Sequence, residues 1–501
     1  MSEVDLVVVG AGSSGLIATY TWLKFSPDSN VIIFESDTEL GGAWSRNRVY
    51  PTLTTQTPVG MLEYSCFPME QPEKTFYGLF SGEHSCEYLE AFALSMKFSG
   101  KSLKERVRFS SLVTKAQRRE GMWEVHTVDG LQARCRKLIV ATGATSIPHL
   151  PELLNQPQPV PVVHSRDLAR NAEFLSSDEV QHVVVIGGSK SSFDAVYMLI
   201  QAGKSVSWII RPGGHGPGLL AAPEGAGPFR NSNEILSLRL ISKTSPCVFE
   251  PGDRWVRFFH RWRLGRWISN AIWSHVDSQW KGPAKYDRSQ NMSKLKPDRS
   301  AFWGSDNVGV RNTVDLWDTV AKAKIYRDEV VRINEKSAVL SSGEMLDCDA
   351  VVACTGWDLS YPMFSKEDAL ALGLPMSVRD VPPENVEKWN SLAAESPVPV
   401  HCSQIQSLRA VAYLTNELKL PPVERRREEV ASRIAWRRRR YLSDGHVIIF
   451  DQIPYQSMLV RDLGLKDSRK GGGWREILRP YYPKDYSGLM EEYLMSRSVK
   501  R

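Results

Sequence analysis

Near the start of the chain an apolar run, Asp5-Leu6-Val7-Val8-Val9, ends in the turn Gly10-Ala11-Gly12-Ser13-Ser14-Gly15 and passes into a helical pattern from Leu16 to Phe25. A second apolar run, Val31-Ile32-Ile33-Phe34, then delivers Glu35. Few folds accept that order, because each turn residue has a mechanical task. Gly10 permits the tight turn, Gly12 lets a pyrophosphate approach the backbone, and Gly15 lets helix and strand pack closely. Ser14 lies in the first helical turn, whose N–H groups face the phosphates. Glu35 is placed to accept hydrogen bonds from a ribose. Gly-x-Gly-x-x-Gly alone recurs by chance in turns, but strand, turn, helix, strand and an acid about 20 residues on define a dinucleotide-binding unit.

The second half opens with a partial repeat. Val183-Val184-Val185-Ile186-Gly187-Gly188-Ser189-Lys190-Ser191-Ser192 again runs from apolar strand through a glycine turn into a helical pattern that reaches Gln201. A strand from Ser205 to Ile210 follows and ends in Arg211. The glycine pattern is degenerate: with Gly187 as the first glycine, Ser189 and Ser192 occupy the second and third positions. A guanidinium stands in place of the ribose-binding acid, which suits a 2′-phosphate and therefore NADP over NAD. Lys190 adds a second positive charge nearby. The bland alternative is an αβ unit without a ligand, but two such units in one chain support each other.

Between the two units, the paired glycines of Leu40-Gly41-Gly42-Ala43-Trp44 suggest backbone lying against a ligand, with an ordinary turn as the alternative. Tyr50-Pro51-Thr52-Leu53-Thr54-Thr55-Gln56-Thr57-Pro58 reads as a pocket-lining loop whose hydroxyls and amide can hold polar ring edges. Glu87 to Met96 has a helical pattern and Val107-Arg108-Phe109 a strand pattern. Val113 to Val140 reads as an antiparallel meander with turns at Glu120-Gly121 and Asp129-Gly130. It ends in Ala141-Thr142-Gly143. A second strand ends the same way, in Cys354-Thr355-Gly356-Trp357, and such glycines let the chain turn between two nucleotide domains or beneath a cofactor. From Pro212 to Asn312 the αβ patterning is lost. Trp255 to Trp280 is dense in tryptophan, phenylalanine and arginine at helical spacing. The favoured reading is a helix packed on its own protein, with arginine stems covering apolar surface; the alternative is an amphipathic helix lying on a membrane. Residues 424–440 form a strongly basic helical pattern offset by glutamates, read as a solvated face rather than a nucleic-acid site. The last helical pattern runs from Tyr486 to Leu494.

Composition narrows the class. A chain of 501 residues is long enough for two or three domains. No apolar stretch approaches the roughly 18 residues of a spanning helix, and the first strand begins too early for a secretory leader. The seven cysteines (66, 86, 135, 247, 348, 354 and 402) are scattered, without Cys-x-x-Cys or metal-ligand spacing. Reduced, mostly buried thiols and a cytoplasmic protein are therefore expected, with no metal site. A formal charge of +6 does not by itself imply a nucleic-acid partner.

The order of these motifs resembles the flavin-containing monooxygenases, in particular the fungal FAD- and NADPH-dependent branch related to Baeyer–Villiger enzymes. The resemblance spans nearly the whole chain. It rests on the first glycine turn, Gly41-Gly42-Ala43-Trp44, Tyr50 to Thr57, Ala141-Thr142-Gly143, Ile186 to Ser191 with Arg211, and Cys354-Thr355-Gly356-Trp357. Of the family fingerprint Phe-x-Gly-x-x-x-His, only His164-Ser165 survives here, and the tryptophan that follows the histidine in the Baeyer–Villiger form is absent. Gln56 stands where many members place a flavin-facing asparagine.

That resemblance implies an α/β fold of two Rossmann-like domains. An FAD domain covers residues 1–170 and returns at 346–420. An NADPH domain, 171–345, is inserted between them and carries a helical insertion at about 212–312; a helical extension, 421–501, ends the chain. It also implies a peroxyflavin monooxygenase that transfers one oxygen atom of dioxygen to a small organic substrate, in secondary metabolism, with Baeyer–Villiger-type ester or lactone formation as the alternative outcome. FAD would contact Gly10, Gly12, Ser14, Gly15, Glu35, Gly42, Trp44 and Thr142, with Thr355 and Gly356 at the domain junction. NADPH would contact Gly187, Ser189, Lys190, Ser191 and Arg211. Gln56, Thr55 and His164 are the expected catalytic residues. The Trp44, Thr55 and Gln56 side chains would keep the reacting edge dry, and His164 would orient cofactor between domains. A flavoprotein reductase acting on thiols is disfavoured by the missing Cys-x-x-Cys. A non-catalytic nucleotide binder with a decayed second site explains Ser189 and Ser192 equally well.

Overall fold

A computed structural model of the protein describes residues 2–498 except 215, 246, 248, 250–252, 305–306, 373, 375–399, 423–424, 426–435 and 437–451. The basic pattern at 424–440 therefore lies outside the described residues, apart from 425 and 436. The opening run forms strand β1 (Ser2–Val9), helix α1 (Ser13–Phe25) and strand β2 (Val31–Phe34). Helix α2 (Gly82–Ser95) begins one turn earlier than its apolar pattern suggests, because the Ser81 hydroxyl accepts from the His84 N–H and caps it. A short strand β3 (Val107–Arg108) follows, then β4 (Val113–Arg119), β5 (Met122–Thr127) and β6 (Gln132–Val140). The last three form the antiparallel meander read from the sequence. Its final strand crosses back to pair in parallel with β1, giving a sheet ordered β3-β2-β1-β6-β5-β4.

The short strands β7 (Ile147–Pro148) and β8 (Val162–His164) lead to the second unit: β9 (His182–Ile186), helix α3 (Lys190–Gln201) and β10 (Ser205–Ile209). The insertion contains β11 (Leu219–Ala221), α4 (Ser232–Leu236), α5 (Arg239–Lys243), α6 (Arg254–Arg261), α7 (Arg263–Lys281) and β12 (Val308–Val310). Beyond it come β13 (Lys324–Tyr326), the antiparallel trio β14 (Val330–Ile333), β15 (Ser337–Leu340) and β16 (Met345–Asp347), then β17 (Ala350–Ala353) and β18 (Trp357–Asp358). The second sheet is parallel throughout, in the order β8-β17-β9-β10-β13. This pairing brings strands from either side of residues 170 and 345 into the second sheet. Both β8 and β17 belong to the second sheet, because the buried edges of β9 and then β17 must each find a hydrogen-bonding partner.

The two units share one hydrogen-bond frame. In the first, Gly10 N–H donates to Phe34 O, Glu35 N–H to Arg108 O and Ala141 N–H to Val9 O, at 2.7, 2.9 and 2.8 Å. In the second, Gly187 donates to Ile209, Ile210 to Tyr326 and Cys354 to Ile186, at 3.0, 2.8 and 2.7 Å. The repeat seen in the glycine turns thus extends across four strands of each sheet, including the two strands that end in Thr-Gly.

Helix α1 is buried almost all round, from Gly15 to Leu23. One side lies on the first sheet and the other on α8 (Val400–Leu414). The C-terminal helices α9 (Gln452–Asp462) and α11 (Leu489–Ser498) complete that layer, while α10 (Gly473–Leu478) packs against α5 of the insertion. Leu459, Val460, Leu489 and Tyr493 join Leu16, Leu23, Leu408 and Val411 in one core. Among the described residues no helix is long and apolar enough to cross a membrane. Everything in this layer depends on how closely α1 approaches β1. A Cβ on Gly15 would sit 1.9 Å from the Gly10 carbonyl oxygen, so Gly15→Ala must push the helix off its sheet. We expect that substitution to lower stability by about 3 kcal/mol or more, measured as a fall in the thermal midpoint of the purified chain.

Candidate cofactor-binding sites

The first site forms where two glycine backbones meet. Gly10 has φ +105°, and a Cβ there would lie 2.5 Å from the Ala141 carbonyl oxygen. Gly41 N–H donates to Ala11 O at 3.0 Å, which lays the Gly41-Gly42 loop along the turn. A Cβ on Gly42 would stand 3.1 Å from Gly12 Cα. Gly12 is the N-cap of α1 and offers it no side-chain cap, so the first-turn N–H groups, with Ser14 among them, are left for solvent or an anion. A cradle of bare backbone beside an uncapped helix N-terminus fits a pyrophosphate. Trp44 ends a short 3-10 turn and packs against the first core. Thr142, one residue beyond Ala141, accepts from the Ser146 hydroxyl through its carbonyl.

Glu35 is buried, and its carboxylate already organises the turn. One oxygen accepts from Ala11 N–H at 2.7 Å; the other accepts from Asp37 N–H at 2.9 Å and from Ser36 Oγ at 3.1 Å. Of about four acceptor directions on a carboxylate, one is left for a ribose hydroxyl. Glu35 therefore fastens the glycine turn from the end of β2.

The second site follows the same plan with different side chains. A Cβ on Gly187 would lie 2.3 Å from the Cys354 carbonyl oxygen, as Gly10 lies against Ala141. Ser189 is the N-cap of α3 without capping it, and its hydroxyl donates to Asn307 Oδ1 at 2.7 Å. Ser191 in the first turn is part exposed. Ser192 fits the buried third-glycine position by turning its hydroxyl back to Ser189 O, at 2.6 Å. Lys190 and Arg211, both expected at NADPH, have settings of their own. Lys190 is buried and ion-paired with Asp194 one helical turn on, so its charge is neutralised locally instead of reinforcing Arg211. The hydrogen-bond frame also puts Ile210, not Arg211, at the place of Glu35. Arg211 is the next residue, exposed on the following loop.

The Tyr50–Thr57 loop spans the two units. Tyr50 is buried in the core of the second, while Thr55 stays in the first. Thr55 is fully buried and its Oγ1 accepts from Phe80 N–H at 3.1 Å, because that buried donor would otherwise be unpaired. Gln56 is exposed, and its Oε1 accepts from Val310 N–H at 3.1 Å, while its own carbonyl accepts from Asn233 Nδ2 at 3.3 Å. It fastens the loop to β12 and α4 of the insertion. Its Nε2 has no partner among the described residues.

The two Thr-Gly strand ends meet in a ribbon. β7 and β18 pair antiparallel just beyond them, and the Thr355 hydroxyl donates to His149 O. His164 clamps this junction: its Nδ1 accepts from Arg166 N–H at 3.1 Å, so the neutral ring carries its proton on Nε2 and donates to Gly356 O at 3.0 Å. Its edge meets the Trp357 ring at 4.9 Å between centroids. His164 is thus a clamp between strands, not a free acid or base. Sequence reading missed Arg48, whose guanidinium donates to Thr145 O at 2.7 Å and lies over the Trp357 ring at 5.5 Å. Burial, with Arg166 nearby, lowers its pKa to about 10. It also missed Arg311, buried, paired with Glu224 and lying over Phe76. Lone arginines in polar segments carry no spacing signal that would reveal them.

Two glycine-turn units, each with an uncapped helix facing a neighbouring strand end, define the class of two-nucleotide flavoproteins. The pyridine nucleotide-disulphide oxidoreductase family profile matches residues 7–216. FAD-dependent monooxygenase resA of Aspergillus sclerotiorum is 33% identical, covering 99% of this chain and 99% of its own. FAD-dependent monooxygenase DEP4 of Fusarium langsethiae is 32% identical over 100% of this chain and 96% of its own. The chain belongs to this family of FAD-dependent monooxygenases and is an oxidoreductase. The fold is shared with steroid monooxygenase bound to NADP (TM-score 0.60, 18% identity, 92% of this chain and 97% of that one). It is shared too with NADP+-bound cyclohexanone monooxygenase from Rhodococcus sp. Phi1 (TM-score 0.61, 16% identity, 92% and 98%).

Two outcomes follow. Gly12→Ala puts a methyl in the pyrophosphate cradle, and Glu35→Ala loosens the turn and strips a ribose acceptor; both variants should purify with most of their flavin lost, read from the absorbance ratio of flavin to protein. Burial lowers the His164 pKa from the ordinary value of 6.5, opposed by the bond to Gly356. Below that value the unfolded chain binds a proton that folded His164 resists, so its contribution is complete above it and is lost as pH falls toward the folded pKa. Between about pH 7.5 and about pH 5.5 the parent's urea midpoint should therefore fall more than that of His164→Gln.

Proposed function

We propose that the first unit binds FAD, that the second binds NADPH, and that the chain uses both to insert one atom of dioxygen into a small organic substrate, in secondary metabolism. The observation that carries this reading is the repeated frame around Gly10 and Gly187, which gives one chain two phosphate-sized cradles of bare backbone at two uncapped helix N-termini. The fungal sources of the full-length relatives support the metabolic setting. Six of the seven cysteines are buried and no disulfide joins two of them among the described residues, which supports a reducing, cytoplasmic compartment.

Bound FAD supplies the oxygen chemistry, with electrons delivered as hydride from NADPH. The protein supplies binding, orientation and dryness. Gly10, Gly12, Ser14, Gly15 and Gly42 shape the pyrophosphate cradle, Glu35 takes a ribose hydroxyl, and Trp44 and Thr142 border the same cleft. Gly187, Ser189 and Ser191 shape the second cradle, and exposed Arg211 reads the 2′-phosphate. Gln56 keeps an amide N–H pair to donate while its oxygen holds the insertion over the loop. Thr355, Gly356 and His164 hold the ribbon that sets the two units facing each other.

Anaerobic NADPH should bleach the yellow protein and air should restore its colour; a flavin that NADPH leaves oxidised overturns the reading in favour of a non-catalytic binder. Arg211→Ala should cut the preference for NADPH over NADH by about 10- to 100-fold, the worth of a charge-assisted phosphate contact. An unchanged preference in steady-state reduction would assign the phosphate to another residue.

A further inference from the structure

The insertion has an inner side that is fastened down and an outer corner that is not. Inside, Phe259, Trp273 and Trp280 are buried, and Ser269 Oγ and Trp273 Nε1 donate to Thr244 O at 2.9 and 3.1 Å. This is the packed helix favoured by the sequence. The outer side is built by a sharp break: Trp262, in extended conformation, closes α6 and opens α7. A Cβ on Gly265 would stand 2.0 Å from Phe258 O, so glycine is required for the two helices to meet there. The break turns Trp262, Leu264 and Trp267 outward, 67%, 60% and 68% exposed, with Trp255 beside them at 40%. On α7, Arg263 and Trp267 lie on the face opposite buried Gly265 and Ser269.

The charge around these side chains has one sign. Arg254, Arg257, Arg261, Arg263 and Arg266 are all exposed, and among the described residues none of them has an ion-pair partner. No aspartate or glutamate occurs from 254 to 276. A second exposed pair, Trp474 and Leu478, sits with exposed Arg475 on α10, and exposed Arg479 follows at its end. Helix α5 packs against both α10 and α6, so the two patches belong to one connected group of helices.

We propose that the α6–α7 corner docks on an anionic lipid surface, with the indoles of Trp262 and Trp267 in the headgroup layer and the arginines on lipid phosphates and carboxylates. Indoles with an apolar body and one N–H suit that layer, and uncompensated arginines gain most where the facing surface is negative. The inference goes beyond the oxygenase reading and does not depend on it. It also gives the exposed apolar residues a function that packing on the protein's own core leaves unexplained.

The test uses the full FAD-loaded chain and sedimentation with phosphatidylcholine vesicles, with or without phosphatidylserine. The parent should sediment with the phosphatidylserine vesicles and not with the neutral ones, its tryptophan emission should shift to shorter wavelength, and added salt should release it. Neutralising Arg257, Arg261, Arg263 and Arg266 to glutamine should lower partitioning about fivefold per arginine. Trp262→Ser with Trp267→Ser should abolish the emission shift. Both variants should retain flavin and its bleaching by NADPH, which separates failure of docking from failure of the oxygenase reading. The proposal is overturned if the parent ignores phosphatidylserine vesicles or if the variants partition as the parent does. It is overturned also if the tryptophan pair instead governs self-association on size exclusion, since a second copy would then cover the corner.

Discussion

The contact on which most of this structure depends is a backbone-on-backbone one: the first glycine of each turn lies against the carbonyl oxygen of the neighbouring strand end, Gly10 on Ala141 and Gly187 on Cys354. No side chain fits between them. That closeness lets each helix begin directly over the crevice at the ends of the parallel strands, with its first N–H groups unclaimed. It also explains why both partner strands finish in Thr-Gly: the chain must leave immediately after the contact, and the glycines at 143 and 356, with φ +77° and +90°, let it do so. The repeat is therefore one of backbone geometry, and it tolerates serines where the first unit has glycines.

Joining the two units is a separate problem, solved by a few long-range contacts. The β7–β18 ribbon continues directly from the two Thr-Gly ends. His164 ties β8 to Gly356, Arg48 and His164 both lie against Trp357, and Tyr50 reaches from the first unit into the second core. Each of these side chains is polar or aromatic, and His164 and Tyr50 are buried at the junction, where an unpaired group is costly. The arrangement ties the two units together through a backbone ribbon and a few side chains.

The insertion shows the opposite economy. Its inner surface carries the tryptophans that pack, and its outer corner carries the tryptophans that do not, all within one stretch of similar composition. Periodicity along α7 separates Gly265, Ser269, Trp273 and Trp280 from Arg263 and Trp267, yet only the break at Trp262 decides that the second group faces outward.

The two αβ units, the meander, the order of elements and the family resemblance were all legible in the sequence, because apolar periodicity, turn glycines and their spacing act over a few residues. Side-chain partners were not. Lys190 is paired with Asp194 at a spacing the sequence does display, but an i,i+4 pair and a phosphate ligand look alike until burial is known. Thr55 turns to Phe80, Gln56 finds Val310 across 254 positions and His164 finds Gly356 across 192. The placement of Ile210 at the position of Glu35 rests on a hydrogen bond to Tyr326 that no local pattern announces. What the sequence by itself determined was the set of local units and the chemistry they can hold. Which polar groups remain free to meet a ligand was decided only by tertiary structure, since every buried donor and acceptor first takes whatever partner the packed chain brings within reach.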